Sequence, residues 1–168
     1  MRNKLVYRIA LIAILSALSC VLRFSLVEFP NVKPITALFL ALALWLGFWD
    51  SLAIMTITMI VTGLILGFSP IILGQIFGYA VIIIIFKSIS KFNQNIIFLS
   101  VIAGGMAFIF GALISAVSGL LYGFGSGGYL AYWIAGLPFD GAHAFSTLIF
   151  YPIIVMILKR IKPRSFHF

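Results

Sequence analysis

Charge is nearly absent from the interior of this chain. Uncharged runs of 14, 16, 36, 48 and 18 residues separate Arg8 from Arg23, Lys33 from Asp50, Asp50 from Lys87, Lys91 from Asp140, and Asp140 from Lys159. A helix at the surface of a soluble protein keeps a polar face toward water. These runs have no such face, so the solvent they imply is lipid. The 64% hydrophobic content and the mean hydropathy of +1.26 point the same way. The expected class is an all-α integral membrane protein.

The runs convert into a helix count, because a spanning helix needs roughly 17–25 mostly apolar residues. The two shortest give one pass each, extended by flanking residues such as Arg8 and Arg23 whose long side chains can snorkel. Gly67-Phe68-Ser69-Pro70 divides the 36-residue run into two passes. Gly123-Phe124-Gly125-Ser126-Gly127-Gly128 interrupts the 48-residue run, and the stretch 129–137 after it is too short to span, leaving one pass and a Gly-rich loop over 123–136. The last run adds one more. The expectation is six transmembrane helices near 6–22, 34–47, 51–66, 71–86, 96–122 and 138–158, forming a single membrane domain over 1–168.

Basic residues set the orientation. With six passes and both termini cytoplasmic, Arg2, Lys4, Arg8, Lys87, Lys91, Lys159, Arg160, Lys162 and Arg164 lie inside, and only Arg23 and Lys33 lie outside. Only an even number of passes produces this positive-inside bias. The formal net charge of +8 is then explained by topology and anionic lipid, with no nucleic-acid partner. The basic start followed by apolar 9–22 also has the form of a signal peptide, but its removal would leave five helices and spoil the charge parity. Cys20 is the single cysteine, which excludes an internal disulfide and a cysteine-based metal site.

Two helix faces carry small residues. Ala103, Ala107, Gly111, Ser115, Gly119 and Gly123 recur every fourth residue in the fifth helix, a pattern that permits close helix approach in lipid. Ala10, Ala13, Ala17 and Cys20 share a face of the first helix. That face suits packing inside the bundle or the docking of another membrane protein.

Ionisable groups within a span are functional candidates by default. Here they centre on Pro138-Phe139-Asp140-Gly141-Ala142-His143. Pro138 suits the first position of a helix, which would place Asp140 in the first turn and His143 on the same face one turn below. Asp140 would then either cap that helix or bind a solute there. The expected topology brings Gln75, Tyr79, Ser115, Ser118, Tyr122, Tyr129, Tyr132, Trp133, Arg23, Glu28, Asn31 and Lys33 to the same outer level. An interfacial aromatic belt accounts for the tyrosines and tryptophans. It does not account for Gln75, Asp140 and His143, which an outward-facing pocket for a polar, ring-containing solute would explain. Asn31, Gln75, Tyr79, Tyr122, Trp133, Asp140 and His143 are the candidate ligand residues.

Other classes lack their signatures. No line of buried charges crosses the chain, so an ion pathway is not expected. No phosphate-binding Gly-rich loop is present, and Asp140 with His143 lacks a third catalytic group or a metal-binding carboxylate cluster. Neither enzymatic activity nor a cofactor or metal is expected. A six-helix membrane scaffold of the rod-shape morphogenesis type remains the alternative, with an intramembrane enzyme behind it.

The whole chain resembles the substrate-binding S components of energy-coupling factor (ECF) transporters. Three elements carry the resemblance: Ala13-Ile14-Leu15-Ser16-Ala17 after a basic N-terminus, Phe29-Pro30-Asn31-Val32-Lys33-Pro34, and Gly136-Leu137-Pro138-Phe139-Asp140-Gly141-Ala142-His143-Ala144. The resemblance implies a vitamin-binding subunit of the plasma membrane of a bacterium, partnered by a scaffold subunit and two ATPases. It implies that Ala13 and Ala17 face the scaffold and that the outer ends of helices four to six hold the vitamin. The second and third elements look most like members assigned to cobalamin; riboflavin, pantothenate, folate, pyridoxine and a queuosine precursor stay open.

Overall fold

The computed structural model describes residues 2–25, 32 and 34–161. Among them are six helices and no strands: α1 (Arg2–Ser25), α2 (Ile35–Trp45), α3 (Phe48–Leu66), α4 (Ile71–Ser90), α5 (Ile96–Tyr122) and α6 (Gly128–Ile161). All except α2 are long and apolar enough to cross a bilayer.

The exception is the centre of the bundle. Every residue of α2 is buried, and this short helix packs against each of the other five. A helix that is apolar all round belongs inside a protein or inside lipid. At 11 residues, or about 16 Å, α2 is too short to cross a hydrocarbon core by itself. The sequence reading of 34–47 as one more lipid-facing pass is thus replaced by a short helix enclosed in protein.

Five hydroxyls inside the bundle are satisfied within their own helices. Ser19, Thr58, Thr62, Ser100 and Thr147 each donate to the carbonyl four residues earlier in the same helix, at 2.6–2.8 Å. Ser51 instead donates to the Phe39 carbonyl at 2.8 Å and ties α3 to the middle of α2.

The turns follow from their residues. Gly47 has φ +96°, which lets the chain reverse at once, so Phe48, Trp49 and Asp50 form the first turn of α3 rather than a connection. Asn95 caps α5 by accepting from the amides of Ile97 and Phe98.

Helices α1 and α3 run parallel. Arg8 clamps Asp50 near the start of both, with its Nε 2.8 and 3.0 Å from the two carboxylate oxygens, and Arg23, near the end of α1, reaches Met59 beyond the middle of α3. The end marked by Arg8 and Asp50 gathers positive charge: Lys87 and Lys91 lie beside Phe48, and Lys159 lies beside Gln94.

Helix α6 departs most from expectation. It starts at Gly128, with Pro138 inside it, so the loop expected over 123–136 shrinks to 123–127. Helix α6 runs antiparallel along α5, with Gly136 facing Ser115, Asp140 facing Gly111 and Ala144 facing Gly104, and the Tyr129 hydroxyl reaches down to donate to the Ala112 carbonyl at 3.2 Å. Interior proline removes one backbone hydrogen bond, a loss that neighbouring helices can absorb in a membrane protein. Asp140 therefore sits about 18 Å along the helix from its start. It neither caps α6 nor draws on that helix's first amides.

Candidate functional site

At the end of the bundle opposite the Arg8–Asp50 clamp is a cavity of about 180 Å³. Each of five helices contributes. Arg23 comes from the end of α1 and Ile35 from the start of α2; Gln75 and Tyr79 lie one turn apart on α4. Phe110, Gly111, Ile114 and Ser115 line one face of α5, and Asp140 and His143 line the facing side of α6. Polar groups thus meet on two walls, with Ile35, Phe110 and Ile114 as an apolar surface between them.

Thr36 organises one wall. Its hydroxyl lies 2.7 Å from His143 Nε2 and 3.1 Å from the Tyr79 hydroxyl, so one side chain on α2 holds groups from α4 and α6 in register. Phe110 packs against both, 4.2 Å from the Tyr79 ring and nearly perpendicular to the His143 ring at 5.7 Å. With two rotatable bonds each and contacts on several sides, these rings form a rigid wall.

Asp140 forms the other wall through an absence on the facing helix. A Cβ on Gly111 would collide with the whole Asp140 carboxyl group, so glycine at 111 is the space into which that carboxyl fits. Asp140 is 8% exposed, and its Oδ2 is buried without a hydrogen-bond partner. Trp133 lies beside it, two turns earlier on the same face of α6, with its buried indole N–H turned toward the carboxyl though not at full hydrogen-bond geometry. One indole N–H does not exhaust a carboxylate, which keeps acceptor sites that another hydrogen-bonding molecule can complete.

Arg23 supplies a cation. One guanidinium nitrogen donates to Gln75 Oε1 at 3.2 Å, and another reaches the Met59 sulfur. Both partners are neutral. Among the described residues, no carboxylate pairs with Arg23 and no cation pairs with Asp140.

Four of the seven candidate ligand residues, Gln75, Tyr79, Asp140 and His143, therefore line one cavity. Trp133 stands behind Asp140 without lining it. Tyr122 lies elsewhere, 64% exposed, with its hydroxyl 2.7 Å from that of Ser69. Asn31 lies outside the described residues. Arg23 and Ser115, which the sequence placed at the same outer level without naming them ligand residues, line the cavity too; Thr36 was passed over, and Gly111 was assigned to helix packing.

The small face of α1 is not used for internal packing. Ala13 and Ala17 are exposed, while the neighbouring Leu15, Ser16 and Ser19 turn inward. With Ile9, Ile12, Ile57 and Val61 they line an open, almost wholly apolar groove between α1 and α3. No family model, curated protein or solved structure matches the chain.

Proposed function

We propose that this chain is the solute-binding membrane subunit of an ECF-type uptake transporter in a bacterial plasma membrane. It captures a vitamin on the outer side and passes it to a partner scaffold driven by two ATPase subunits. In this reading the bundle has six membrane segments and cytoplasmic termini, with α2 crossing inside a sleeve formed by the other five.

The observation that carries the reading is the convergence of Arg23, Gln75, Tyr79, Asp140 and His143, drawn from α1, α4 and α6, on one cavity. Ionisable side chains at membrane depth are expensive, and a membrane scaffold gains nothing from collecting them around a hollow. Two further features support it. The cavity and the basic cluster of Lys87, Lys91 and Lys159 occupy opposite ends of the bundle, which suits an outward cavity above a positive inner rim. The exposed Ala13 and Ala17 offer a smooth surface on which a partner helix can lie close. Ligand sites for drug-sized molecules typically measure about 300–1,000 Å³. A cavity of about 180 Å³ favours the smaller vitamins over cobalamin.

The deciding experiment is mass spectrometry of small molecules released from the detergent-purified protein, coupled to uptake of the released compound by cells that express the chain with an energising module. A stoichiometric small molecule whose uptake depends on the chain is the expected result. A protein that purifies empty and changes no uptake would favour the scaffold alternative. A released molecule that is chemically altered on incubation would favour the enzyme.

A further inference from the structure

We propose that the cavity selects an amphoteric solute, one that presents an anionic group to Arg23 and a cationic or N–H-bearing group to Asp140. This deepens the proposed function and rests on the cavity being its solute site. The argument begins with what the two charges do not do. Arg23 and Asp140 line the same cavity, yet no ion pair joins them. Each is held in place by neutral surroundings: Arg23 by Gln75 and Met59, Asp140 by the hollow at Gly111.

Asp140 is buried and Arg23 half-buried, and charges withdrawn from water are ordinarily paired, because desolvation of an isolated ion is expensive. Two opposite charges kept apart across one small cavity are complementary to a molecule whose own charges are separated by a similar span. The guanidinium has five N–H donors, and its hydrogen bonds to Gln75 and Met59 leave donors for a carboxylate, which it can bind in a two-pronged fashion. The Asp140 carboxylate accepts only, and beside the Trp133 indole N–H it keeps acceptor sites for a solute's donor. Between the charges, Phe110 and Ile114 present an apolar surface suited to a ring. The solute class is therefore a compact, ring-sized zwitterion. A neutral solute would leave both charges uncompensated, and a singly charged one would leave the other.

The test uses four probes built on one ring: 4-(aminomethyl)benzoate (zwitterion), 4-methylbenzoate (anion), 4-methylbenzylamine (cation) and 4-methylbenzamide (neutral). Their affinities for the detergent-purified full chain are read by ligand-dependent shift of the unfolding midpoint and by isothermal calorimetry. The zwitterion should bind about tenfold or more tightly than any other probe. Arg23→Gln should erase its advantage over the cation, and Asp140→Asn its advantage over the anion. Equal binding of the neutral probe and the zwitterion overturns the proposal, as does a wild-type ranking led by a singly charged probe. If none of the four binds, the molecule released from the purified protein decides. An amphoteric compound upholds the proposal, and a compound lacking either charge overturns it while leaving the transport function intact. A chain that releases nothing and supports no uptake defeats both.

Discussion

Replacing Gly111 by alanine separates two roles that a glycine can have on α5. If Gly111 serves only close helix packing, an added methyl should push α5 from α6 and destabilise the bundle. The structure predicts a different result, because the atoms in the methyl's way belong to the Asp140 carboxyl group and not to the backbone of α6. That group can rotate aside at roughly 0.5–1.5 kcal/mol for an off-rotamer side chain. Alanine in a helix returns about 1 kcal/mol relative to glycine. The two effects nearly cancel, so the unfolding midpoint should scarcely move. Solute affinity should fall, because the displaced carboxylate no longer meets its partner. A charge-assisted hydrogen bond contributes about 1.5–3 kcal/mol, so the loss should be roughly tenfold to a hundredfold.

Two neighbouring glycines provide the controls. At Gly104 an added Cβ would lie 3.2 Å from the Ala144 carbonyl oxygen and 3.4 Å from Leu148 Cβ, so Gly104→Ala should lower stability with little change in affinity per folded molecule. At Gly105 nothing lies within 4 Å, and alanine there should be neutral or mildly stabilising. The assay is calorimetric titration of the purified variants with the molecule released from the wild type, beside their thermal unfolding. Wild-type affinity in Gly111→Ala would refute the view that the carboxyl's position matters. Unfolding of Gly111→Ala would return Gly111 to a packing role.

Three other substitutions address other parts of the molecule. Thr36→Val keeps the shape but removes the hydroxyl between Tyr79 and His143, and should cost about 1–3 kcal/mol as a lower unfolding midpoint; an unchanged midpoint would show that the hydrogen bonds contribute nothing net. In a Cys20→Ala background, Ser126→Cys should react with an impermeant thiol reagent in intact cells and Gln94→Cys should not; the reverse pattern would place the cavity on the cytoplasmic side. Ala13→Trp with Ala17→Trp should abolish uptake while solute binding by the isolated chain stays intact, since both alanines are exposed and away from the cavity. Normal uptake in that double variant would remove α1 as the docking face.

The helices were legible because lipid solvation imposes a composition that needs no tertiary information. The uncharged runs locate α3, α4 and α5 with little error at their starts and ends. Helix α2 was visible as an apolar segment, but being enclosed by five neighbours is a property of the bundle and leaves no local mark beyond the lack of any polar face. The start of α6 was misplaced for a physical reason. Pro138 carries a true helix-start preference, since its fixed φ and missing N–H suit a first turn. That preference did not start the helix. The apolar and aromatic stretch before it is already helical and lies along α5 by one side, through Tyr129 and Gly136. Pro138 therefore falls inside the helix at the loss of one backbone hydrogen bond.

The cavity shows the same division at the level of single residues. Gln75, Tyr79, Asp140 and His143 stood out because a polar group in an apolar run demands an explanation wherever the helix turns out to lie. Arg23 was placed at the same level but not among the ligand residues, because an arginine ending an apolar run already has an explanation in snorkelling to the interface. What distinguishes it is a pair of neutral contacts on α3 and α4, made only after α1 and α3 align in parallel. Gly111 was hidden more deeply. Within a four-residue repeat of small side chains it is indistinguishable from its neighbours, and it acquires a separate meaning only from standing opposite Asp140. Had α6 begun at Pro138, Asp140 would have belonged to a helix end and needed no such hollow. Because the helix runs through the proline, the carboxyl reaches α5 in mid-span, where only the absence of a side chain can admit it. The continuous α6 and the hollow at Gly111 are therefore one feature of the fold, and the first accounts for the second.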